Sequence, residues 1–291
     1  MPRKKKAVTL LEEWSCRQGR AAISNPPHRL HFFAFAGDSR TGLEARARGN
    51  PCAVTLLAGA SAGPDPEAIS AHCASWRSGI DVATVRCWTA GGEPIALCGH
   101  GLLSTGVAWL RHDGGVSELE MNGLRVAFAV EDDWAWIGLP HLGCDACTVP
   151  LWTREFFPEI PWRAARAGDE SGYLILEWPA GFDLRRLPVP DYGLRRRTQR
   201  AIIATCVDRD DPGIDVQLRY FAPQHGVPED TATGSAMRAL ATYWVNRELN
   251  DGLHAFQCSP FGGELRSRIR GDRTWVGGRI VCTRDSLPHA A

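Results

Sequence analysis

The sequence lacks any apolar run approaching the roughly 18 residues that a helix needs to cross a bilayer, so no membrane-spanning helix is expected. It also lacks net charge. Its 33 basic and 33 acidic residues cancel, with a pI near 7.1, so no global field draws it to nucleic acid or an anionic membrane surface. There is no cysteine framework either. Ten cysteines are scattered over 291 residues, which implies no small disulfide scaffold and favours a reduced, cytoplasmic setting. Cys144-Asp-Ala-Cys147 is a CxxC with no second pair beside it, so chance or a loop outweighs zinc or redox work and no metal site is expected. The N-terminus begins PRKKK, but Glu12 and Glu13 interrupt the apolar stretch that follows, which makes a poor signal peptide. Residues 1–28 read as a solvated tail, with a basic nucleic-acid arm as the competing reading.

What is present suits a soluble globular chain: 44% hydrophobic and 23% charged residues, long enough for one large domain or two lobes. Alternating or continuous apolar stretches predict strands at 30–35, 50–57, 81–88, 119–121, 125–130 and 134–139. In the second half they predict strands at 172–177, 201–207, 215–221, 265–269 and 275–281. The spacing of Ile69, Cys73 and Trp76 predicts a short helix over 66–76. Two compact apolar helices are expected at 102–110 and 236–247.

The two halves echo each other. Arg86-Cys-Trp-Thr-Ala90 matches Arg219-Tyr-Phe-Ala-Pro223, and Gly99-His-Gly-Leu102 matches Gly234-Ser-Ala-Met237. Trp109 and Trp244 stand at the same distance beyond the two glycines. Strand, loop and glycine-led helix therefore occur twice, which reads as internal duplication. Short strands around one helix per half give an α+β fold, each helix wrapped by a curved sheet.

A helix start exposes unpaired N–H groups with positive partial charge, and glycine lets a ligand approach them. Two such starts facing each other would hold a carboxylate or similar anion. Gly99, His100 and Gly101 supply one set of N–H groups; Gly234, Ser235 and Ala236 supply the other. Cys98 and His100 add a thiol and a proton carrier at the first start. Asp230, Thr233 and Ser235 stand at the second, where Asp230 can act as a base or orient an imidazole and Ser235 can hold a substrate oxygen. Blander readings stand beside these: Thr233 or Ser235 as a helix cap, His100 as a structural donor, Cys98 as a packed small residue, Glu229 as a solvated loop acid.

Gly49-Asn-Pro-Cys-Ala-Val54 resembles the GNPxAV element of the PhzF-like family, named for a phenazine-biosynthesis isomerase. Leu97-Cys-Gly-His100 and Glu229-Asp-Thr-Ala-Thr-Gly-Ser-Ala236 are similar to its CGH and EDxxTGSA elements, and Gly262-Gly-Glu-Leu265 and Val276-Gly-Gly278 to its closing strands. The resemblance implies a diaminopimelate-epimerase-like fold with two pseudo-symmetric lobes and the site between them. On this reading the first lobe takes 29–122 plus 266–291 and the second 123–265. It implies a cofactor-free homodimer that moves a proton on a small carboxylate substrate. By position, His100, Asp230 and Ser235 fall on family site residues, Asn50 on the GNPxAV element, and Gly99, Gly101, Gly234 and Ala236 on the substrate-holding helix starts.

One departure matters. The family's principal proton carrier is a glutamate in a Ser-Glu-(Thr/Ser)-x-Phe element ahead of the strand preceding CGH, yet this chain has no glutamate between Glu67 and Glu93. Asp81 is the acid that can substitute there, or it simply starts a surface strand. The alternatives for the whole chain are a degenerate small-anion binding protein on the same frame and, less favoured because the second helix start has no cysteine, a two-thiol racemase.

Overall fold

A computed structural model of the protein describes residues 28–38, 43–60, 71–247 and 252–286. The chain divides into two compact units.

The first unit holds residues up to Ala36, Asn50–Leu139 and residues from Gly277. Its strands are β1 (His28–Ala36), β2 (Asn50–Leu57), β3 (Ala71–Arg77), β4 (Val82–Thr89), β5 (Glu118–Met121), β6 (Leu124–Glu131) and β7 (Trp134–Pro140). They are neighbours in chain order. The greater part of β15 (Arg273–Ser286) lies next to β7 and also pairs with β1, so eight strands close into a barrel. Its helix, α1 (Gly99–Asp113), is buried on every side from Gly99 to Leu110, as a helix wrapped by a sheet must be. Gly114, with φ +96°, ends it in the left-handed conformation that glycine takes most readily.

The second unit holds Gly37–Gly49 and Pro140–Val276. Its strands are β8 (Cys144–Cys147), β9 (Arg163–Ala167), β10 (Tyr173–Glu177), β11 (Ala201–Val207), β12 (Val216–Phe221), β13 (Gly252–Gln257) and β14 (Gly263–Arg270), with the first residues of β15 beyond β14. Its helix is α2 (Gly234–Val245), which packs on β8, β10 and β14. A second apolar layer, including Phe157, Leu174, Leu176, Trp178, Ile202 and Phe221, packs under short 3-10 turns of the same unit.

The duplication holds in the strand pairing. From β1 to β6 the successive pairs run antiparallel, parallel, antiparallel, parallel, antiparallel. From β9 to β14 the order is the same, with the helix again between the fourth and fifth strands. The matched tryptophans do matching work. Trp109 donates its indole N–H to Ser75 Oγ at 2.8 Å, and that hydroxyl donates to Thr84 O at 2.8 Å. Trp244 donates to Thr205 Oγ1 at 3.3 Å, and that hydroxyl donates to Gln217 O at 2.8 Å. One buried indole–hydroxyl–carbonyl relay thus pins each helix to its sheet.

Two expectations need correction. Residues 71–76 are not helical. They form β3, parallel to β2 and antiparallel to β4, and Cys73 and Ser75 alternate onto the α1 side, which a period-two reading of the same residues allows. The remaining 66–70 lies outside the described residues, as does the expected tail up to 27. The division into units also differs. Residues 123–139 belong to the first unit, because β6 and β7 extend the β5 ladder by antiparallel pairing. Residues 37–49 belong to the second, where Leu43 and Ala47 pack with Ile214, Phe256 and Cys258. Residues 266–276 belong there too.

Candidate functional site

At the first helix start the N-cap is Cys98, with φ −121°, ψ 97° and no side-chain cap. At the second it is Thr233, with φ −121°, ψ 98° and again no side-chain cap. No acidic residue occupies the first turn of either helix. The two chains of atoms entering α1 and α2 are therefore near copies, and neither positive helix end is closed by the usual hydroxyl or carboxylate.

Around the first start, His100 is buried with 8% of its surface exposed. Its Nδ1 lies 3.5 Å from the side-chain nitrogen of fully buried Asn50, the first residue of β2. Cys98 Sγ stands 3.6 Å from Nδ1 and 3.7 Å from Nε2 of the imidazole. The preceding loop is shaped by Thr89 N–H donating to Glu93 O and Ile95 N–H donating to Cys87 O. Gly99, Gly101 and Asn50 all sit at this start, buried.

Around the second start, Asp230 is fixed at both oxygens. Oδ1 accepts the Thr231 N–H at 2.9 Å and Oδ2 accepts the Thr233 hydroxyl at 2.7 Å. Gln257, fully buried at the end of β13, locks the same loop. Its Oε1 accepts the Thr233 N–H at 2.8 Å, and its amide donates to Asp230 O at 2.7 Å and to Thr233 Oγ1 at 3.2 Å. So the Thr233 hydroxyl braces Asp230 and does not cap the helix. The Tyr173 phenol, beside Ser235, has a raised pKa, chiefly from burial. The Tyr220 ring is 6.4 Å away; burial, then Tyr173 and Asp230, pushes that phenol up as well. Both phenols stay protonated and can donate.

One acid falls elsewhere than expected, and a second takes the blander of its two readings. Glu229 is not a solvated loop acid. It forms a bidentate pair with Arg219, at 2.7 and 2.8 Å, with side chains only 9% and 6% exposed. Arg219 also donates to Leu184 O and Leu187 O, which anchors the loop from beneath. Asp81 sits exposed at the tip of the β3–β4 hairpin, where its carbonyl accepts from Ser117 and Glu118. Cys87, which packs at the α1 start, is six residues further along β4. At about 3.3 Å per strand residue that is roughly 20 Å away. The structure does not bring Asp81 to His100, and the α1-facing residues of β3, Cys73 and Ser75, carry no carboxylate.

The Gly49-Asn-Pro and Gly262-Gly-Glu elements meet directly: Gly49 N–H donates to Gly262 O at 3.1 Å, within the second unit. Gly262 has φ +68° and lies so close to Arg46 O that no side chain fits. The CxxC cysteines stand three apart on β8, on opposite faces of a strand, so they are not a vicinal dithiol. Burial pushes Cys144 up to about 11 and raises Cys147. Among the described residues no group of three or more His, Cys, Asp or Glu is arranged for a metal ion, and no helix is long and apolar enough to cross a membrane.

The family model described as phenazine biosynthesis-like protein matches residues 155–274. An uncharacterized isomerase of Vibrio cholerae is 31% identical over 229 residues, 74% of this chain and 76% of that protein. The chain belongs to the PhzF-like family. A solved phenazine biosynthesis protein of the PhzF family from Enterococcus faecalis superposes with a TM-score of 0.73 at 20% identity, covering 88% of this chain and 96% of that one. A hydroxyproline epimerase from Agrobacterium vitis superposes at 0.54 and 11% identity, over 88% and 91%. This PhzF-like chain therefore has the epimerase-type fold of two similar halves, and its curated relatives include proteins described as uncharacterized isomerases.

Proposed function

We propose that this protein is a cofactor-independent isomerase that moves a proton on a small carboxylate-bearing substrate. The observation that carries the reading is the matched, uncapped pair of helix starts, each with a proton-handling group beside it. His100 is the proton carrier at α1, oriented by Asn50 and bordered by Cys98. Asp230 is the carboxylate at α2, held as an acceptor by Thr231 and Thr233. The backbone N–H groups of Gly99 and Gly101 at α1, and those of Gly234, Ser235 and Ala236 at α2, each suit a carboxylate or the oxyanion charge that builds as a proton leaves. A cytoplasmic homodimer acting on a free small molecule, without nucleic acid or membrane, belongs to the same reading.

The second reading is a small-anion binding protein, and one observation favours it: Asp81 is exposed at the tip of the β3–β4 hairpin and β3 carries no carboxylate, so neither replaces the family glutamate. The two-thiol racemase has less support, because Thr233 occupies the position that Cys98 takes in the first unit. Incubation with a panel of small amino and hydroxy acids in D₂O separates them. The isomerase incorporates deuterium at a carbon of at least one acid. A ligand that raises the melting temperature while no member of the panel exchanges supports the binding protein and overturns the enzyme.

A further inference from the structure

Cysteines far apart in sequence converge under α1. Cys52, Cys73, Cys87 and Cys98 are all at most 3% exposed. Cys73 and Cys87 face each other across β3 and β4 and form a disulfide. Cys52 Sγ lies 3.8 Å from Cys73 Sγ. The hydrogen of Gly101 that a methyl group would replace points into the group: a Cβ there would meet the sulfurs of Cys73, Cys87 and Cys98 at 2.6, 2.8 and 2.9 Å. Atoms at 2.6, 2.8 and 2.9 Å from one point are less than about 6 Å apart, so Cys98 lies within about 6 Å of both sulfurs of the bridge. The repeat shows that packing does not demand this. In the second unit the positions matching Cys52, Cys73, Cys87 and Cys98 hold Tyr173, Ile203, Tyr220 and Thr233, by the same strand register.

We infer that Cys98 and the Cys73–Cys87 bridge form an internal thiol–disulfide exchange site at the α1 start. Cys98 gives its proton to the adjacent His100 imidazole, and its thiolate attacks Cys87 Sγ. The Cys87–Cys98 bond forms as the Cys73–Cys87 bond breaks. Cys73 leaves with the electron pair and takes up one proton in turn. One disulfide and one thiol are present before and after, so the step consumes no oxidant or reductant. Cys98 is the attacking thiol because it lies at a positive helix end with a base beside it. Cys52, the thiol on the other side of the bridge, is held protonated, pushed up to about 12 by burial. The exchange ties the N-cap of α1 to β4 and withdraws the Cys98 thiol from His100. It is independent of which reaction, if any, runs at that helix start.

The sequence supplies the readout. Trypsin cuts after Arg48, Arg77, Arg86 and Arg111, so Cys52 and Cys73 share one peptide and Cys87 and Cys98 share the next cysteine peptide. The starting bridge links the two peptides; the exchanged bridge closes a loop within the second. The purified full chain is held at neutral pH, acid-quenched, alkylated and mapped by mass spectrometry without reduction. The inference expects both forms in the wild type, loss of the looped peptide in Cys98→Ser, and complete conversion to it in Cys73→Ser oxidised with diamide. Circular dichroism establishes that each variant is folded. The inference is overturned if the wild type holds only the Cys73–Cys87 link and folded Cys73→Ser leaves Cys87 and Cys98 alkylated after diamide.

Discussion

Gln257→Leu tests whether the loop carrying Asp230 is held in place from β13. The wild-type side chain is fully buried and makes three hydrogen bonds to two residues of that loop. Leucine fills similar volume but neither accepts nor donates. The Thr233 N–H loses its acceptor and Asp230 O loses its donor, while the Thr233 hydroxyl keeps Asp230 Oδ2. Leaving a buried polar group unsatisfied costs about 1–3 kcal/mol, so two such groups give roughly 2–6 kcal/mol. Gln257→Glu keeps the acceptor for Thr233 and loses both donors, so it falls between wild type and Leu. Urea unfolding followed by far-UV circular dichroism measures both. A Leu variant within about 0.5 kcal/mol of wild type, the range of a neutral surface change, would refute the claim that Gln257 holds this loop.

Three further outcomes follow. Glu229→Gln leaves Arg219 buried without its countercharge and is expected to destabilise the fold by about 3–5 kcal/mol in the same assay; a loss under about 1 kcal/mol would return Glu229 to a surface role. Gly101→Ala drives a methyl group into three sulfurs and is expected to lose about 1–3 kcal/mol, whereas Ala236→Gly, at the matching place in α2, loses only about 1 kcal/mol of helix propensity and buried methyl. Tyr173, Tyr220 and Tyr243 all have raised pKa values, with burial the largest cause. Because the folded state holds these protons more tightly, their contribution is intact below the ordinary tyrosine pKa of about 10 and is lost as pH rises beyond it. Absorbance at the phenolate band should therefore show these three ionising only as the chain unfolds; full phenolate formation near pH 10 with native circular dichroism would contradict the burial.

The sequence read well where one signal dominated. Near-continuous apolar runs placed 50–57 and 201–207 at the ends observed, and the Gly99/Gly234 and Trp109/Trp244 matches reflected a true repeat, each tryptophan having the same bonding task. It read poorly where short stretches fit two periods. Ile69, Cys73 and Trp76 suit a helix face, but Cys73 and Ser75 suit a strand equally, and pairing to β2 and β4 decided for the strand. β9 was missed because Arg and Ala carry no strand signal, and β8 because four residues are too few for a pattern.

The site divides in the same way. The local elements LCGHG and EDTATGSA showed both helix starts, including His100, Asp230 and Ser235. What surrounds them comes from distant strands. Gln257, Tyr173 and Tyr220 carry no motif, and Cys52, Cys73, Cys87 and Cys98 converge only because β2, β3 and β4 lie side by side around α1. Glu229 looked like a surface acid because it stands in a loop, and its partner, Arg219, is ten residues back on β12 with a buried side chain.

Proton movement at the two helix starts is the central claim, and solvent exchange reads it directly. With an acid from the panel that exchanges, the rate of deuterium incorporation is compared among wild type, His100→Gln and Asp230→Asn, each shown to be folded. The expected result is a fall of at least about 10²-fold in both variants, the lower range for losing a general acid or base. Exchange at the wild-type rate in both variants would contradict it.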